Sequence, residues 1–361
     1  MISVYANDER INMNKHLTAL SVALLLTACG GRSAGEPVPP DTIITGVNYI
    51  GASVSDIEKT AELYGSSVDL KAVDQTEITG SPLFDKLAGR SGVSAQTQMM
   101  RSVNAQVRFM QFANPSSAAQ STKQMDVQGP GIAHVCYQVD DKTQSYQKFL
   151  AGGAKHIGDM EMVHLNPKNP VYYAYARDFD GLISEVEHVD VAKLDLPTPP
   201  KNTHRIRHVS LATPDIDRLV DFYTGFLNQP GPRRAGEWFT VTSDKIDKVS
   251  GLPDSEVEMA WFQIRNLELE IFQYHSHPTE DLEKPRPVDA LGYNMIVFDV
   301  SDMKATRKRL VDAGGTVVSE PTPMDGGQIM FGRDPDGNLL GLQTVAKTSV
   351  FSAQNFKDNG I

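Results

Sequence analysis

The chain of 361 residues carries only two cysteines, Cys29 and Cys136. A disulfide framework of the kind that holds small secreted domains together is therefore excluded. Cations are also in deficit: 34 Lys and Arg stand against 45 Asp and Glu, a net charge of −11. That balance argues against nucleic acid or an anionic membrane surface as a partner, because both require a basic face. Long apolar runs are missing as well. The N-terminal run from Leu17 to Leu26 falls far short of the roughly 20 residues that span a bilayer as a helix.

That short run has a meaning of its own. In "MNKHLTALSVALLLTACGG", which begins at Met13, Lys15 supplies a positive start and the apolar core follows it. "LTAC" at Leu26–Cys29 resembles the lipobox of bacterial lipoproteins, which implies acylation of Cys29 and an address at the cell envelope, facing the periplasm or exterior. Residues 1–28 are accordingly expected to be a signal peptide, with translation starting at Met13. Residues 29–41, rich in Gly and Pro, read as a flexible tether. Membrane contact is expected only through the anchor. Cys136 then has no partner and sits in an apolar stretch, as a small buried hydrophobe does.

Behind the tether the chain repeats itself. "YIGASVSDIEKTAELY" from Tyr49, "HVCYQVDDKTQSYQKFL" from His134, "HVSLATPDIDRLVDFY" from His208 and "MIVFDVSDMKATRKRL" from Met295 each read as a strand, an acidic cap and a helix. The aspartates at Asp56, Asp141, Asp215 and Asp302 stand where a helix N-cap is wanted. Short β-type runs follow each helix, among them "AQVRFMQF" and "LELEIFQY". "RDFDGLISEVE" from Arg177 and "RDPDGNLLGLQ" from Arg333 carry matching Asp-Gly turns. Four β-α-β-β-β modules result, an α+β chain. The first and third match in spacing, as do the second and fourth, so a pair of modules has been duplicated. Residues 42–188 and 204–345 form the two pairs, 189–203 is a Pro-rich extended linker, and the polar tail 346–361 is expected to fray.

The His-leading strands with their capped helices, together with "LEIFQY" and "DPDGN", make the chain similar to the vicinal oxygen chelate superfamily. That family includes glyoxalase I, extradiol dioxygenases, fosfomycin-resistance enzymes and bleomycin-binding proteins. The resemblance implies two modules curling into one open pseudo-barrel around a metal, with one ligand slot on the first strand and one on the last strand of each module. The first-strand slots hold Tyr49, His134, His208 and Met295. The last-strand slots hold Arg108, Glu185, Glu270 and Gly341.

Strand alternation fits this. His134 shares a face with Cys136, and His208 with Ser210 and Ala212, while bulky Val135, Tyr137, Val209 and Leu211 point the other way. If modules paired in sequence order, each barrel would hold half a site. Pairing the second with the third collects His134, Glu185, His208 and Glu270 in one barrel. The first with the fourth then collects Tyr49, Arg108, Met295 and Gly341, a barrel without metal. The arrangement resembles dimeric glyoxalase I fused into one chain, so a monomer supplies both barrels.

Two imidazoles and two carboxylates suit one divalent ion, whether Ni, Co, Zn, Mn or Fe. The resemblance implies a glyoxalase-type lyase or isomerase acting on a small oxygen-rich carbonyl substrate, with Glu185 as both ligand and base. An extradiol-type ring-cleaving dioxygenase and a non-enzymatic small-molecule binding protein are the alternatives. A glutathione conjugate is not the expected substrate: Arg233 and Arg234 could hold its carboxylates but read first as solvated surface cations, and His275 and His277 could line the mouth but read first as part of a solvated loop.

Overall fold

The computed structural model describes residues 43–165, 170–190, 192–193 and 204–360. The expected signal peptide, the tether and most of the linker lie outside the described residues. The first module contributes β1 (Ile44–Ser53), β2 (Lys71–Ile78), β3 (Ala95–Arg101) and β4 (Gln106–Phe112). From the second come β5 (Gly131–Asp140), β6 (Lys155–Ile157), β7 (Val163–His164), β8 (Val171–Arg177) and β9 (Ile183–Val189). The third gives β10 (His204–Ala212), β11 (Arg233–Ala235), β12 (Val257–Ile264) and β13 (Leu267–Tyr274). In the fourth are β14 (Gly292–Val300), β15 (Thr316–Val317), β16 (Thr322–Met324), β17 (Gly327–Arg333) and β18 (Leu339–Thr344). The second strand of modules two and four is thus broken into two short pieces, a departure from the uniform module.

Three of the four expected caps are in place. The carboxylates of Asp56, Asp215 and Asp302 accept the main-chain N–H of Lys59, Arg218 and Ala305 at 3.0, 3.0 and 2.9 Å. They open the helices Ile57–Val68, Ile216–Leu227 and Met303–Asp312. Asp141 does not cap. A 3₁₀ turn, Asp141–Thr143, intervenes and is itself capped by Asp140, and the helix Ser145–Ala151 starts after Gln144 without a side-chain cap. Asp141 instead accepts from His188 Nδ1 at 3.3 Å.

The strands form two nine-stranded open sheets. One runs β15-β17-β18-β14-β1-β4-β3-β2 and the other β11-β12-β13-β10-β5-β9-β8-β6, with β16 added on β17 and β7 on β8. Antiparallel β1 and β14 join modules one and four, and antiparallel β5 and β10 join modules two and three. Pairing is therefore crossed. Modules adjacent in sequence meet through their helices instead, and one core cluster joins both sheets. Ile50 and Val107 enter it from the first sheet, Val209 and Leu269 from the second, and Tyr64 and Phe222 from the helices between. Each such side chain stabilises the fold by roughly 1.5–3 kcal/mol on burial.

The two Asp-Gly turns deliver the last strands. Asp178 Oδ1 accepts the N–H of Asp180 and Leu182, both at 2.9 Å, and Asp334 Oδ1 those of Asp336 and Asn338 at 3.1 and 2.9 Å. Gly181 and Gly337 follow with φ of 90° and 87°, a conformation that a side chain disfavours.

The segment 346–360 does not fray. Phe351 and Phe356 are buried. The side chain of Arg265 donates to the carbonyls of Ala353 and Phe356, that of Arg205 to Asn359 O at 2.9 Å, and that of Arg101 to Val350 O at 2.5 Å. Its polarity serves these arginines, which need acceptors, while the two phenylalanines supply the apolar contact.

Candidate metal centre

His134 on β5 and His208 on β10 lie on the two strands that join their modules, and parallel neighbours β9 and β13 bring Glu185 and Glu270 alongside. All four face the interior of the second sheet and are buried, with exposures of 1, 8, 2 and 7% for His134, Glu185, His208 and Glu270. Glu185 Oε2 lies 2.8 Å from His208 Nε2 and 3.4 Å from His134 Nε2. Glu270 Oε2 lies 3.3 Å from His134 Nε2 and 3.4 Å from His208 Nε2. Donors bonded at about 2.1 Å to one ion are about 3.0 Å apart in octahedral geometry and about 3.4 Å in tetrahedral geometry. The four therefore already have the spacing of a shared coordination shell, and the residues fit a divalent cation.

Charge tells the same story. Burial works against a protonated His134, but hydrogen bonds to Glu185 and Glu270 outweigh it and lift its pKa to about 9. Burial likewise opposes ionisation of Glu185 and Glu270, yet the two imidazoles hold both carboxyls well below the usual range. The cluster demands positive charge at its centre, which a proton on an imidazole or a metal ion supplies.

Ser210, singled out in the sequence only as a small neighbour, does more. Its hydroxyl donates to Glu270 Oε2 and lies 2.8 Å from His134 Nε2. The usable signal was its place two residues after His208, on the same face. Below the four, Arg207 donates to Glu187 and Glu268, forming a buried charged floor that sequence reasoning missed. Cys136 is fully buried and reduced, as expected.

A cavity of about 80 Å³ reaches both carboxylates. Its walls combine the aromatic rings of Tyr175, Trp261, Phe272 and Tyr274 with aliphatic side chains, among them Ile246 and Val249 of the helix Asp244–Ser250. A larger depression of about 510 Å³ near His164 and Tyr172 contains none of the four ligand candidates. Neither His275 nor His277 lines the cavity; His275 leans toward Glu258 at 3.4 Å. Arg234 is held by Asp217 and Glu258, and Arg233 lies over the ring of Trp261 at 4.3 Å and near Glu268 at 3.6 Å.

The other barrel is filled by its own side chains. Arg108 Nη1 donates to Asp325 at 2.9 Å and to the Tyr49 hydroxyl at 3.5 Å. Met295, Val297 and Phe331 pack beside them. A Cβ on Gly341 would come within 2.8 Å of Val297 and 3.2 Å of Phe331. The carboxylate missing from the fourth module thus corresponds to space already taken, in a barrel whose positive charge is a guanidinium.

Sequence and fold comparisons place the chain in a known class. The Glyoxalase/Bleomycin resistance protein/Dioxygenase superfamily profile matches residues 46–170 and 205–342, and the chain belongs to that superfamily. A "Probable lactoylglutathione lyase" of Vibrio cholerae serotype O1 is 26% identical over 144 residues, 39% of this chain and 91% of the relative. The crystal structure of glyoxalase I from Zea mays superposes with a TM-score of 0.56 at 17% identity, covering 83% of this chain and 92% of that one. That likeness is one of fold.

Proposed function

We propose that the protein is a metal-dependent lyase or isomerase of the glyoxalase I type, acting on a small oxygen-rich carbonyl compound. The observation that carries this reading is the set of two imidazoles and two carboxylates, buried together at ligand spacing beside a cavity walled by aromatic and aliphatic side chains. His134, Glu185, His208 and Glu270 would hold one divalent ion, which as a Lewis acid polarises a substrate carbonyl. Glu185 is the base that moves a proton between adjacent carbons. Glu270 is less suited to that role, because the Ser210 hydroxyl already donates to its Oε2. The cavity walls orient the substrate and exclude water.

A glutathione conjugate is disfavoured as substrate, since Arg233 and Arg234 are engaged by carboxylates and an aromatic ring. The chain works as a monomer anchored through a lipid on Cys29 at the bacterial cell envelope. The test is metal analysis of purified protein, followed by a screen of α-hydroxycarbonyl, 2-oxoaldehyde-adduct and catechol substrates. Stoichiometric metal and proton-transfer turnover of a carbonyl support the reading. Oxygen-dependent ring cleavage would point to a dioxygenase, and tight metal-free binding without turnover to a binding protein.

A further inference from the structure

His208 faces the barrel because its strand is irregular. In β10, Ile206 stands opposite Tyr137 and His208 opposite Cys136, so Arg207 is an inserted residue in a β-bulge. Ile206 packs into the core between the sheets, whereas Arg207 and His208 both turn into the barrel. Regular alternation would place Ile206 and His208 on the same face. A one-residue slip would carry the imidazole out of the site.

What holds the bulge comes from another module. Asn104, in the turn between β3 and β4, is fully buried. Its Nδ2 donates to Ile206 O at 2.6 Å, and its Oδ1 accepts Ile206 N–H at 3.0 Å. Ladder pairing of β10 with β13 begins only at His208, so Asn104 replaces a strand neighbour for Ile206. The arrangement is reciprocal. Asn266, in the turn between β12 and β13, donates to Val47 O at 3.0 Å and accepts Val47 N–H at 2.8 Å. There Asn48 is the inserted residue of β1, just before Tyr49. The two asparagines also bond each other, Asn104 Nδ2 to Asn266 O at 2.7 Å and Asn266 Nδ2 to Asn104 O at 3.0 Å.

We propose that Asn104 is a positioning residue for the metal centre: by pairing with both main-chain groups of Ile206, it holds the bulge that turns His208 toward Glu185 and Glu270. The inference rests on the reading of His208 as a metal ligand. Asn266 supplies the comparison, because it makes the same bonds at the same burial to the barrel whose first-strand residue is Tyr49. Of the bonds to Asn104, its replacement by Ala removes only that from Asn266 Nδ2 to Asn104 O, leaving the Asn104 side chain able to pair with Ile206.

The experiment compares wild-type protein, Asn104→Ala and Asn266→Ala, freed of metal and titrated with Co²⁺ while visible absorption and thermal melting are followed. Both variants should melt earlier, since each leaves buried main-chain groups unpaired. Only Asn104→Ala should also weaken Co²⁺ binding, by about 10- to 100-fold, the usual effect of losing a group that orients a ligand. Co²⁺ affinity retained in Asn104→Ala, or weakened no more than in Asn266→Ala, overturns the claim that Asn104 acts on His208 through its own bonds to Ile206, while leaving the metal reading intact. Wild-type protein that binds no Co²⁺ overturns both. Should the alanine variants not fold, Asn104→Ser and Asn266→Ser make the same comparison.

Discussion

The phenol of Tyr64 donates a hydrogen bond to Asp178 Oδ2 at 3.3 Å, joining the helix of the first module to the Asp-Gly turn of the second. Tyr223 and Asp334 repeat the contact at 3.0 Å between the third and fourth modules. Sequence neighbours are thus fastened through helix and turn, while their strands pair elsewhere.

These turns make stability depend on pH. Burial pushes the carboxyls of Asp178 and Asp334 up to about 7, from an ordinary value of 3.8. A raised carboxyl favours the protonated folded state, so its contribution is complete below pH 3.8 and is lost as pH rises through about 7. Each group contributes at most about 4 kcal/mol over that window. Asp178→Asn keeps an acceptor for the two turn N–H groups and removes the titration. Urea unfolding from pH 4 to 8 should show a flatter slope in the variant; an unchanged slope would assign the dependence to other groups.

Glu185→Gln preserves shape and an oxygen donor but removes a basic carboxylate. Metal content should fall in part, whereas turnover should fall by about 10²- to 10⁴-fold. His134→Ala and His208→Ala should lose metal and turnover together. Undiminished turnover in Glu185→Gln would take that residue out of the base role.

In the other barrel, Met295→His should create no metal site, because Arg108 stays paired with Asp325 and Gly341 offers no donor. Arg108→Ala takes the cation from the part-buried Asp325, whose Oδ2 then keeps the Gln343 amide at 2.9 Å, and should cost up to about 3–5 kcal/mol of stability. Metal content of the folded protein should be unchanged. Metal lost from folded Arg108→Ala would show that the two barrels are coupled.

Truncation after Thr344 removes the buried rings of Phe351 and Phe356. Each is worth roughly 1.5–3 kcal/mol, and Arg101, Arg205 and Arg265 lose acceptors as well. A lower urea midpoint is expected, and a midpoint equal to that of the full chain would mean the tail is dispensable.

Lipidation is read by mass. Protein extracted from membranes should begin at an acylated Cys29, and an unmodified chain that starts before Cys29 would exclude the anchor.

Repetition of strand, cap and helix was legible in the sequence because each module carries its own periodicity, and the second and fourth also share an Asp-Gly turn. The four candidate ligands were legible because corresponding slots could be compared: Glu185 against Gly341, His208 against Met295. Asp141 misled, since a local cap signal cannot reveal an inserted 3₁₀ turn. Polarity misled in the tail, because composition does not show that arginines elsewhere, buried Arg205 and part-buried Arg101 and Arg265, need acceptors. Arg108 could be placed in a slot, but its partner Asp325 lies far along the chain and meets it only when modules one and four share a sheet. The same holds for Asn104 and Ile206. Sequence by itself determined most of the elements and the faces of the regular stretches of strand, which depend on near neighbours and on alternation; the bulges at Asn48 and Arg207 lay beyond it. Only the tertiary structure decided which side chains satisfy buried charges and unpaired main-chain groups, because those partners come from modules separated in sequence and joined by strand pairing.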